Sequence, residues 1–166
     1  MAAQRSPKRI YLNFSGFNSN PVGGSEIAAE KAIQLNFPLL NQINPGEYDV
    51  TVARFSIPTT AIHGAASALG IVVETHTLPI VGEWDTDSQL PFLVDVLTDQ
   101  LNDPSGTLIY EPTFYRKSSF VGQGNLTQFD CKFSIRYQDG TLVPLMIGPQ
   151  RGWTLKIALI RSDILY

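Results

Sequence analysis

From Phe129 to Tyr137 the chain alternates without a break: Phe129, Cys131, Phe133, Ile135 and Tyr137 are apolar or aromatic, whereas Asp130, Lys132, Ser134 and Arg136 are polar. A period of two puts successive side chains on opposite faces of an extended backbone, so the segment is predicted to be a β-strand with one dry and one wet face. Gln138, Asp139 and Gly140 follow, residue types suited to a tight turn with positive φ, and then a second alternating run at Trp153, Leu155, Ile157 and Leu159. The chain is expected to end in antiparallel sheet. Such a sheet needs a second apolar layer to cover it, and the chain nowhere offers the helices and glycine turns of a nucleotide-binding α/β enzyme.

Other segments repeat the pattern. Ile10, Leu12 and Phe14 alternate before a loop at 16–25. Glu26 to Phe37 reads as a brief helical turn capped by Ser25 that feeds a strand through Ile33, Leu35 and Phe37. Glu47 to Ile57 is strand-prone, but its apolar phase changes from even (Tyr48, Val50, Val52) to odd (Ala53, Phe55, Ile57), which predicts a β-bulge near Val52 and Ala53; Pro58 ends the strand. Ile71 to Thr77, Thr107 to Tyr110 and Thr113 to Val121 add strands. Between Ser88 and Asn102 the period is that of a helix, with Leu90, Leu93, Val94, Leu97 and Leu101 on one stripe. The prediction is an all-β protein: an antiparallel two-sheet sandwich of jelly-roll type with about eight strands and one short helix near 90–102.

A chain of 166 residues fits one domain, predicted over 10–166 behind a flexible basic arm at 1–9. Charged residues make up 16%, below the roughly 25% of an average soluble domain, which fits either an ordinary β-rich surface or a subunit covered by neighbours. Twelve Lys and Arg face fifteen Asp and Glu, and three of the twelve (Arg5, Lys8, Arg9) open the chain, so the remainder carries nine against fifteen, or −6. An acidic body is a poor general nucleic-acid binder, but Arg5, Lys8 and Arg9 are candidates for touching phosphates or an acidic partner surface. No secretory leader or membrane span is expected.

Little in the chain points to reaction chemistry. Cys131 is expected to be a small core residue. His63 and His76 have no metal-ligand spacing, and His76 is expected to pair with Glu74 on a strand face. Glu83, Asp85 and Asp87 form the densest carboxylate group, read as a solvated acidic turn, with cation binding or glycosidase chemistry as the sharper readings. Tyr110, Phe114, Tyr115, Phe120 and Tyr166 are too closely placed for all to be interior, so some are expected to anchor contacts with other subunits. No catalytic residue, cofactor or metal is predicted. A sugar-binding sandwich using Trp84 or Trp153 is the alternative.

The run Pro45-Gly46-Glu47-Tyr48-Asp49-Val50-Thr51-Val52-Ala53-Arg54-Phe55-Ser56-Ile57-Pro58, preceded by Ile33 to Phe37, resembles the early strands of the small jelly-roll vertex (penton) and minor capsid proteins of double-stranded DNA viruses. Phe129 to Tyr137, Asp139-Gly140 and Trp153 to Arg161 are similar to that family's final hairpin. The resemblance implies a non-enzymatic structural virion protein, made in the host cytoplasm or nucleus. Its implied partners are further copies of itself, as a pentamer, and the major capsid protein, with a weak genome contact through the N-terminal arm.

Overall fold

The computed structural model describes residues 9–35, 46–62, 68–77, 80–81, 92–98, 101, 105–113, 118–122 and 127–161. Among these residues eight strands have five residues or more: β1 (Arg9–Phe17), β3 (Glu30–Gln34), β4 (Gly46–Pro58), β5 (Ala68–Glu74), β7 (Phe92–Leu97), β9 (Ser118–Gly122), β10 (Gln128–Tyr137) and β13 (Gly152–Arg161). Five shorter ones fill the connections: β2 (Ile27–Ala28), β6 (Ile80–Val81), β8 (Thr107–Tyr110), β11 (Leu142–Pro144) and β12 (Met146–Ile147). The described residues contain no α-helix.

The pairing of the eight long strands is nested. The first pairs with the last (β1 with β13), the second with the seventh (β3 with β10), the third with the sixth (β4 with β9) and the fourth with the fifth (β5 with β7), all antiparallel. Cross-links between β13 and β4 and between β10 and β5 join these pairs into two sheets, with main orders β1-β13-β4-β9 and β3-β10-β5-β7. A long hairpin rolled up in this way is a jelly roll.

Aromatic rings close the space between the layers. Phe14 of β1 meets Phe129 of β10 at 5.3 Å, and Phe133 of β10 meets Phe55 of β4 and Trp153 of β13 edge-on, each at 5.4 Å. Burial of each such side chain contributes about 1.5–3 kcal/mol, and the edge-to-face contacts add about 0.5–1.5 kcal/mol per pair. Trp153 and Phe133 therefore lie in opposite sheets. The expected hairpin between their strands is not formed: the turn at Gln138–Gly140, with Gly140 at φ 88°, returns the chain to β11, where Arg136 pairs with Leu142.

The phase change in β4 is a bulge at the expected place. Lys156 of β13 faces Arg54 and the next residue, Ile157, faces Val52, so Ala53 is the extra residue. Tyr48, Val50 and Val52 before it, and Phe55 and Ile57 after it, are all buried.

Two helical expectations are corrected. Phe92–Leu97 is a strand, in register with β5 from Gly70↔Leu97 to Glu74↔Phe92. A register shift between Val73 and Glu74 leaves Leu93 as the unpaired residue, so Leu93 and Val94 are buried side by side. Two adjacent buried residues imitate a helical stripe, yet Leu97, on that stripe, is 44% exposed and Val96, off it, is buried. The expected turn of helix after Ser25 is instead β2 and β3, and the Ser25 carbonyl accepts from the side chains of Asn18 and Asn20.

On one edge of β10, the neighbour changes from β3 to β11 at Phe133. There Phe133 N donates to Ala29 O, Ala29 N to Leu145 O, and Leu145 N to Phe133 O, at 2.8–3.0 Å. All three residues are fully buried, and the triangle satisfies backbone groups that a break in the ladder would orphan.

Candidate functional site

The exit from β5 folds over Asp130 of β10. Asp130 Oδ1 accepts from Thr75 Oγ1, His76 N, Thr77 N and Thr77 Oγ1 at 2.8–3.0 Å, and Oδ2 pairs with His76 Nδ1 at 2.7 Å. The Asp130 amide donates back to Thr77 Oγ1. Burial pushes the Asp130 carboxyl up, but the bonds from Thr77, His76 and Thr75 outweigh it and hold the group below its ordinary value.

Glu74 was the expected partner of His76. It is 2% exposed instead, and accepts from Ser134 Oγ at 2.9 Å. Ser134, at a wet phase of its strand, is likewise buried. Cys131 faces the core as expected, where burial, reinforced by the Asp130 charge, pushes its thiol up to about 12. At neutral pH it is a protonated, poorly nucleophilic thiol. Asp130, Cys131, His76, Lys31 and Lys132 border a surface cleft of about 340 Å³. The arrangement ties the exit of β5 to β10.

The outer face of the first sheet is different. Arg9, expected to end a flexible arm, is the first residue of β1 and pairs with Ile160. Its Nη1 donates to Tyr11 Oη at 3.1 Å, and Lys156 Nζ stands 4.6 Å from the centre of the Tyr11 ring. Lys156 lies in a cross-strand row with Asn13 on one side and Arg54 on the other. The next row is Ser15, Thr154 and Ser56, the last two sharing a 2.6 Å hydrogen bond. Lys31 of β3 reaches the edge of this face and donates to Ser15 O at 2.8 Å. Sequence reasoning passed over this group because its members are far apart in the chain; the available signal was that each sits at the polar phase of an alternating strand.

Arg5, Lys8, His63, Glu83, Trp84, Asp85, Asp87, Phe114, Tyr115 and Tyr166 lie outside the described residues. Of the aromatics expected at contacts, Tyr110 is buried and stacked on Phe55 at 5.0 Å, and Phe120 pairs with Tyr48 in the ladder. Trp153 is 2% exposed, which removes it as a sugar-stacking platform.

The rolled two-sheet fold has a counterpart among solved structures. A crystal structure of the mavirus penton protein superposes with a TM-score of 0.69 over 94% of this chain and 100% of that one, at 12% identity. The chain shares its fold with that penton protein. The match extends over the whole of that solved chain. No family model matches the chain, and no curated protein matches its sequence.

Proposed function

We propose that this protein is a structural subunit of a viral capsid, acting at a vertex (penton) or minor capsid position through contacts with its own copies and with a major capsid protein. The observation that carries the reading is the end-to-end correspondence with the mavirus penton protein, reached without close sequence similarity. Solvent-facing apolar side chains around the β1–β2 connection, Phe17 at 59% and Val22 at 89% exposed, supply surface of the kind that subunit contacts cover. The proposed site of action is the virion, with synthesis in the host cytoplasm or nucleus, and the role is non-catalytic. Arg5 and Lys8 remain proposed contacts of an N-terminal arm with the genome or an acidic partner.

Light scattering coupled to size exclusion tests this. A homo-oligomer near five times the 18.3 kDa chain mass, with ring-shaped particles in negative stain, is the expected result. A protein that stays monomeric at every concentration and binds immobilised glycans would replace it with the sugar-binding reading.

A further inference from the structure

The face built on β1, β13 and β4 carries an electrostatic arrangement that the free subunit does not resolve. Lys156 and Arg54 are direct register partners on adjacent strands, a placement that is unfavourable for like charges. Neither forms an ion pair among the described residues. Both are exposed, as are Arg9 and Lys31 at the margins of the same face. Asp49, a carboxylate on this side of β4, is five residues from Arg54, roughly 15 Å at the rise of a strand, beyond the screening length of about 8 Å at physiological salt. Glu111, just past β8, borders the patch without bridging to it. A cationic patch therefore stands on a body whose net charge beyond the first nine residues is −6.

The chemistry of the face selects its occupant. A nucleic acid would use an open aromatic platform and a continuous basic track. Here the Tyr11 ring already holds the Lys156 ammonium and its hydroxyl holds Arg9, and the acidic body would repel a long polyanion once it left the patch. A short ligand with carboxylates avoids that repulsion. It neutralises the opposed Lys156 and Arg54, and finds hydroxyl and amide partners in Ser15, Thr154 and Asn13.

We propose that this face docks a short acidic segment of a partner protein, with carboxylates bridging Lys156 and Arg54. That the partner is a protein rests on the assembly reading above. The test is fluorescence anisotropy with the full chain and a fluorescein-labelled octaglutamate peptide, at low and physiological salt. The expected result is salt-sensitive binding that weakens at least tenfold in Lys156→Glu/Arg54→Glu, weakens less in Lys156→Gln/Arg54→Gln, and is unchanged in Arg151→Glu, a charge reversal in an exposed loop elsewhere. Peptide binding that is undetectable, or equal in all variants, overturns the proposal. So does tighter binding of an oligothymidine that the same double variant abolishes, which would assign the face to nucleic acid. Light scattering on the same samples separates the two readings: an assembled wild type that ignores the peptide removes only the docking face, whereas a monomer that binds it through Lys156 and Arg54 removes only the assembly.

Discussion

Gly16 and Trp153 are register partners on β1 and β13, and the Trp153 indole lies where a side chain at position 16 would begin. A Cβ added to Gly16 would stand 2.6 Å from indole Cε2, inside any real carbon–carbon contact. Trp153 has little room to retreat, because it is buried and packed edge-on against Phe133 of the facing sheet. The glycine is thus required by close approach, with no unusual backbone angle involved. Gly16→Ala is expected to destabilise the fold by about 1–3 kcal/mol, the usual cost of overpacking a dense core. Urea unfolding followed by Trp fluorescence measures it; a midpoint equal to wild type would show that the indole can move aside.

Cys131 gives a pH dependence of known sign. Its thiol ionises at about 12 in the folded chain, against 9.0 for an unburied cysteine. The folded-state value is raised, so the stabilisation is fully present below about pH 9 and is lost as the pH rises towards 12. Wild type is expected to lose stability over this alkaline range more steeply than Cys131→Ala, which starts lower because of the cavity it leaves. Melting temperatures of the two proteins between pH 8 and pH 11 check this, and parallel curves would show that the thiol plays no part. At pH 8 a disulfide reagent is expected to label Cys131 only after urea is added.

What could be read in the sequence followed from how local its signal was. The long alternating runs at Ile10–Phe14, Glu47–Ile57 and Phe129–Tyr137 identify their strands because polar and apolar residues separate over several consecutive positions. The bulge at Ala53 is visible for the same reason, since unbroken phases flank it on both sides. The bulge at Leu93 is not: only a few residues surround it, and two consecutive buried side chains within a short strand satisfy a helical spacing equally well. Pairing across the fold leaves no local trace at all. The bonds from His76 to Asp130 span 54 residues, and nothing near either residue distinguishes that partner from Glu74. The same holds for Lys156 and Arg54, which only the sheet order brings together.

Asp130 is expected to respond at the opposite end of the pH scale. Its carboxyl is held below the ordinary value, so the stabilisation it provides is present above about pH 3.8 and is lost as the pH falls through the lower folded-state value. Asp130→Asn keeps one acceptor oxygen but no longer presents a carboxylate to His76 Nδ1 and cannot serve all the Thr75, His76 and Thr77 donors. A loss of about 1–3 kcal/mol at pH 7 is expected, in line with hydrogen bonds to a charged group. The gap between wild type and variant is expected to narrow as the pH is lowered from 7 to 2. Thermal melts at the two pH values measure it; a gap that is undiminished at pH 2 would place the effect in shape rather than charge.

The extra residue in β4 has the widest consequence. Without it, β4 could pair with β13 in an uninterrupted ladder, but a period of two would then turn one half of its apolar side chains outwards. Either Tyr48, Val50 and Val52 or Phe55 and Ile57 would leave the core, and Phe55 anchors both the edge contact to Phe133 and the stack with Tyr110. Exposing even two such side chains at about 1.5–3 kcal/mol each would consume much of the 5–15 kcal/mol by which a domain is usually stable. Deletion of Ala53 is therefore expected to abolish cooperative unfolding, whereas Ala53→Gly, which keeps the residue count, is expected to cost no more than about 1 kcal/mol. Near-ultraviolet circular dichroism reports the packing of Trp153 and its ring neighbours directly. A deletion variant that kept the wild-type spectrum and a sharp melt would mean that the two halves of β4 can rejoin in one phase without a bulge.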